Sequence, residues 1–139
     1  MATNVTRREA RELLLGLVYE MDFRLEEDKD AIFELSSDVR DIPENGYIKN
    51  GYFTICEKLA EIDECIAKHS VGWKTERMSR VSRAILRLGA YELLFADDIP
   101  SRVTINEAIE LSKKFDDDKA KAFINGILNA IKDETGEKK

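Results

Sequence analysis

Val81-Ser-Arg-Ala-Ile-Leu-Arg-Leu-Gly-Ala-Tyr-Glu-Leu-Leu-Phe95 leads into Ile99-Pro-Ser-Arg-Val-Thr-Ile-Asn-Glu-Ala-Ile-Glu-Leu-Ser-Lys-Lys-Phe115, and then into Phe123-Ile-Asn-Gly-Ile-Leu128. Val81, Ala84, Ile85, Leu88, Tyr91 and Phe95 recur at helical spacing and mark one buried face. Arg80, Arg83 and Arg87 fall on an outer flank of the same helix. It stops before Ile99-Pro100, because the residue preceding a proline resists the α conformation. Thr104-Ile-Asn-Glu107 has the form of a capping box opening the next helix, with Ile105, Ala108, Ile109 and Ser112 turned inward. Asp116-Asp-Asp118 supplies the following N-cap, and the last helix presents Phe123, Ile124, Ile127, Leu128 and Ile131. Gly126 falls inside that helical pattern, where it permits close packing.

The N-terminal half extends the same theme. Thr6-Arg-Arg-Glu9 is another capping box, and Ala10, Leu13, Leu14, Leu17, Val18 and Met21 form the stripe of the helix it opens. Ala31-Ile-Phe-Glu-Leu35 supports a short helix, and Pro43 to Gly46 a break. Ile48, Tyr52, Ile55, Cys56, Leu59, Ile62 and Ile66 then mark one long helix ending before Gly72, with Trp73 in the connection that follows. No stretch alternates with the period of a strand, and no repeat appears. The expected fold is all-α, six or seven helices in two small packed bundles. Residues 1–134 form a single domain in this reading, and 135–139 a frayed tail.

Composition narrows the function. The longest strongly apolar run, Leu13 to Tyr19, is too short for a signal peptide or a membrane span, which points to the cytoplasm. Cys56 and Cys65, nine positions apart on that helix, lie on opposite faces and roughly 13 Å apart, beyond disulfide reach. With His69 as the single histidine, no four-ligand metal site can be assembled, and no cofactor motif is present. Nucleophile elbows, phosphate loops and zinc-protease motifs are missing too, so a binding module is expected rather than an enzyme.

The net charge of −6 is unevenly spread. Residues 20–64 carry fourteen acidic and five basic side chains, whereas residues 65–96 carry six basic and two acidic. A local basic face can therefore bind RNA, while the acidic middle suits a basic protein or is simply a solvated surface. Arg7, Arg8 and Arg11 sit off the apolar stripe at a helix N-terminus, where cations oppose the macrodipole, so an external anion would compensate them unless the cluster is chance composition. Lys113, Lys114, Lys119, Lys121, Phe123 and Asn125 are the other candidates for phosphate or base contact. Spacing alone favours Phe123 as a core side chain over a stacking platform.

The stretch from Val81 to Leu128 closely resembles the C-terminal half of the NusB family of bacterial transcription antitermination factors. Thr6-Arg-Arg-Glu-Ala-Arg-Glu12 with Tyr19 matches the family's other end, so the similarity spans nearly the whole chain. The resemblance implies a binder of boxA-type single-stranded RNA. It also implies pairing with NusE, a ribosomal protein, within an RNA polymerase antitermination complex acting on ribosomal RNA operons. Arg7, Arg8, Arg11 and Phe123-Ile-Asn-Gly126 would then lie toward RNA, and Tyr19 toward NusE. Three departures stand out. Ser82 replaces an acidic residue that contacts the partner in the family, Gly16 replaces a common glutamine, and Lys119-Ala120 replaces an acidic residue and serine. Two other readings remain: an RNA-binding extension of the kind found on ribosomal RNA methyltransferases, and a protein-only helical scaffold.

Overall fold

The computed structural model describes residues 5–70 and 78–138, which form seven α-helices and no strand. They are α1 (Arg7–Met21), α2 (Lys29–Arg40), α3 (Gly46–Glu57), α4 (Leu59–Lys68), α5 (Arg80–Phe95), α6 (Ser101–Phe115) and α7 (Ala120–Thr135). Trp73 lies outside the described residues. Helix α5 is the axis: α1, α3 and α4 pack against it, and so do α6 and α7. The two expected bundles thus share α5 and one contiguous core, from Leu14, Val18 and Ile55 through Ile85 and Leu86 to Ile124 and Leu128. Gly51 and Gly89 bring helices together: a Cβ at Gly89 would stand 2.9 Å from a Leu128 methyl, and one at Gly51 2.6 Å from Leu14. Gly126, assigned that role in the sequence, is exposed.

The Thr6 capping box forms with both reciprocal bonds at 3.0 Å. Asn45 caps α3, and Asp117 Oδ1 accepts from the amides of Lys119 and Ala120 at the start of α7. Three sequence expectations need correction. The single helix expected from Ile48 to Ile66 is two, separated at Lys58, where the backbone leaves helical geometry. Ile55, Leu59, Ile62 and Ile66 keep their spacing across the turn, so periodicity does not reveal it. Thr104-Ile-Asn-Glu107 does not cap α6, which begins three residues earlier at Ser101. The tail is not frayed through Lys138: the Ser101 amide donates to the Lys138 carbonyl, and the Lys138 amide to Ser101 Oγ, both at 2.9 Å. Lys138 Nζ reaches the carbonyls of Glu92 and Ala96 at 2.6 Å, closing the C-terminal end of α5.

Candidate nucleic-acid interface

The three N-terminal arginines have different fates. Arg7 lies over the Tyr47 ring, 4.5 Å from its centroid, with no ion pair among the described residues. Arg8 is exposed yet held bidentately by Glu107, at 3.0 and 2.7 Å. Arg11 is buried, against the expectation of a free surface cation. Its guanidinium forks onto Glu92 at 2.8 and 3.2 Å, and Glu107 stands 3.6 Å away. The Glu92 carboxylate also accepts from the hydroxyls of Thr104, at 2.8 Å, and Tyr47. Burial alone would lower the Arg11 pKa; the hydrogen bond and charge of Glu92 outweigh it and hold the cation firmly protonated. Burial and the same carboxylate push the Tyr47 phenol far above its ordinary value, so it remains a neutral donor.

Internal carboxylates therefore compensate Arg8 and Arg11, and no external anion is required. Thr104 and Glu107, which spell a cap in the sequence, are inward groups that complete this network. One signal is present in the sequence: Glu92 is a lone carboxylate among the apolar residues of α5, and a buried charge needs a partner.

Arg8, Arg11, Glu12, Glu107, Glu110, Leu111, Lys113 and Lys114 line a cleft of about 320 Å³ between α1 and α6. Lys114 bonds Glu12 at 2.7 Å and Lys113 lies 3.4 Å from Glu110, so each cation here already has a carboxylate neighbour. Lys119 and Lys121 are exposed at the start of α7. Phe123 is half-buried against the core, between the two roles considered for it. Asn125 is exposed, its backbone and side-chain oxygens both accepting from Asn129 Nδ2 at 2.9 Å.

This chain belongs to the NusB family. The match to the family model covers residues 8–133. A relative from Bacillus subtilis (strain 168), a transcription antitermination protein NusB, is 43% identical over 126 residues, covering 91% of this chain and 94% of its own. A protein of the same name from Clostridium perfringens (strain SM101 / Type A) is 41% identical, at 91% and 96% coverage. Among solved structures, T. maritima NusB superposes with a TM-score of 0.81 and 36% identity, over 96% of this chain and 94% of that one. A complex of antitermination factors NusB and NusE with double-stranded RNA contains a chain with a TM-score of 0.79 and 30% identity, at 92% and 96% coverage.

The residues that the resemblance turned toward a protein partner lie further along, at the C-terminal half of α1 and the start of α5. Tyr19 is partly exposed, 5.3 Å edge-to-face from Phe23, and excluded from the core. With Leu15, Gly16, Val81, Ala84 and Phe115 it lines a mainly apolar groove of about 220 Å³ between α1, α5 and the end of α6, and Glu12 borders both this groove and the cleft. Gly16 sits under Arg40, whose guanidinium would be 2.4 Å from any Cβ there, so the arginine fills part of a larger side chain's place. Ser82 is buried: its amide donates to Ser79 Oγ and its hydroxyl to Asp116. Direct contact by Ser82 is not available in this arrangement; Asp116 brings a carboxylate to that helix start instead. Arg80, Arg83 and Arg87 are not a free basic flank either. All three converge on Asp22, and the buried Arg87 also grips Asp63 at 2.8 and 2.9 Å.

A cluster that no sequence motif signals joins α4 to α7. His69 Nδ1 is 2.8 Å from the Cys65 carbonyl and 3.7 Å from its sulfur, while Nε2 lies 3.1 Å from Glu134. It has the outline of a nucleophilic triad, but burial raises the Cys65 thiol pKa, the opposite of activation. Among the described residues no group of side chains could hold a metal, and no helix is long and apolar enough to cross a membrane.

Proposed function

We propose that this chain is a cytoplasmic transcription antitermination factor that binds boxA-type RNA together with NusE and supports read-through by RNA polymerase, notably in ribosomal RNA operons. The observation that carries this reading is the meeting of Arg8 with Lys113 and Lys114 around one cleft, in a chain of the NusB family. Phosphates would enter there by exchanging with Glu107 and Glu12 as partners of these cations. Each such exchange offsets part of the gain, so RNA affinity of the protein alone is low. Lys119, Lys121, Phe123 and Asn125 extend the face along α7, with half-buried Phe123 the aromatic side chain there for an unstacked base. Tyr19 and the groove beside it receive NusE, an apolar anchor with acidic residues following it. Binding, not catalysis, is the activity; the raised Cys65 thiol supports that reading.

Fluorescence anisotropy with boxA-like, scrambled and duplex RNA over a salt series tests the RNA face. Arg8→Ala is expected to weaken boxA-like and scrambled RNA by similar factors, and to flatten the log–log salt dependence by about 0.7 for each phosphate no longer neutralised. Phe123→Ala should lower affinity with the slope nearly unchanged. Wild-type affinity in both folded variants would place the RNA face elsewhere, and tighter binding of duplex than single strands would reject base stacking.

A further inference from the structure

Helix α2 turns only one narrow face inward, Ile32 and Ser36 with Phe33 beside them. Its opposite face carries Ala31, Leu35 and Val39 at i, i+4 and i+8, all exposed; Leu35 is 54% and Val39 76% exposed. Branched apolar side chains at helical spacing on the solvent side do nothing for this fold, and such a stripe marks a contact surface. The charges around it are equally one-sided. Glu34 and Asp38 flank the stripe, with Glu26 and Asp30 near its start, and none forms an ion pair among the described residues. The cations of the region are turned away from the stripe. Lys29 donates to the carbonyls of Arg24 and Leu25, and Arg40 bonds Glu20 at 2.8 Å. Residues 23–44 hold eight carboxylates and three cations.

We propose that the outer face of α2 docks an amphipathic helical segment of a basic protein, at a site separate from the RNA cleft and from the Tyr19 groove. The partner's lysines or arginines would pair with Glu34 and Asp38 while its apolar residues cover Leu35 and Val39. Charge selects this occupant. Nucleic acid and anionic membrane surfaces are repelled by unpaired carboxylates, and a second copy would set two acidic faces against each other. Arg40, bonded to Glu20 and lying over Gly16, separates the stripe from the Tyr19 groove.

The probe is a synthetic helical peptide of leucine and lysine at heptad-like spacing, titrated into the ¹⁵N-labelled full chain; a leucine–glutamate peptide of the same pattern is the control. The proposal expects saturable amide shifts centred on residues 28–40, at least tenfold tighter for the lysine peptide. The pair of exposed substitutions Leu35→Ser and Val39→Ser should weaken binding at least tenfold, whereas Tyr19→Ala leaves it unchanged. Three results would overturn it: equal binding of both peptides, shifts centred on the α1–α5 groove, or indifference to the α2 substitutions. Concentration-dependent dimerisation removed by those same substitutions would assign the stripe to a second copy and likewise reject the proposal.

Discussion

Replacing Arg11 by methionine isolates what the buried network is worth. The Arg11 and Glu92 side chains are 5% and 1% exposed, so neither group exchanges its partner for water. Removing the cation leaves Glu92 with the Thr104 and Tyr47 hydroxyls but no counter-charge, at a cost of about 3–5 kcal/mol. Against a total stability on the order of 5–15 kcal/mol, that is a large share. At roughly 3 °C per kcal/mol for a chain of this size, the melting temperature should drop by about 10–15 °C. Thermal melts followed by circular dichroism at 222 nm, supported by urea titrations, read the effect. Arg8→Ala removes an exposed partner of Glu107 and should lower the melting temperature only slightly, far less than Arg11→Met. The double variant Arg11→Met, Glu92→Met should recover part of the loss, because no unpaired charge remains. An Arg11→Met melting temperature within about 2 °C of wild type, or a double variant worse than both singles summed, would refute the reasoning.

Gly89→Ala should cost about 1–3 kcal/mol in urea unfolding, since its methyl would stand 2.9 and 3.0 Å from the two terminal carbons of fully buried Leu128. Lys138→Ala should speed amide exchange at the C-terminal end of α5 and destabilise by about 1.5–3 kcal/mol, because the ammonium is the donor to two helix-terminal carbonyls. The Arg8 hydrogen bond holds the Glu107 carboxyl below its ordinary value against the opposing effect of burial. Its contribution to stability is therefore full above the unfolded value of about 4.3 and disappears as pH falls through the lower folded value. Melting temperatures from pH 6 down to 3 should show a decline that Glu107→Gln makes shallower.

The helices are legible in the sequence because each carries an apolar stripe with a fixed period, and the Thr6 start follows from local hydrogen bonding. What stays hidden is non-local. No spacing rule links Arg11 to Glu92, 81 residues away, or Ser101 to Lys138, so a buried arginine reads as a surface one and a docked tail as frayed. Thr104 and Glu107 satisfy a capping pattern that α6 does not use, because the Lys138 carbonyl already accepts from Ser101. The candidate site divides along the same line. Charge alone points to Arg7, Arg8 and Arg11 with Lys113, Lys114, Lys119 and Lys121; the burial of Arg11, the pairing of Arg8 and Lys114 with carboxylates on other helices, and the turning of Arg80, Arg83 and Arg87 onto Asp22 emerge only in the fold.

RNA binding coupled to NusE is the central claim. Anisotropy of labelled boxA-like RNA, titrated with the protein alone and with saturating NusE, tests it most directly. Tyr19→Asp, checked for intact helical circular dichroism, reports on the groove. The expected result is weak binding alone, strengthening of about 5–150-fold with NusE, and disappearance of that gain in Tyr19→Asp. Equal affinity with and without NusE, or a gain untouched by Tyr19→Asp, would contradict it.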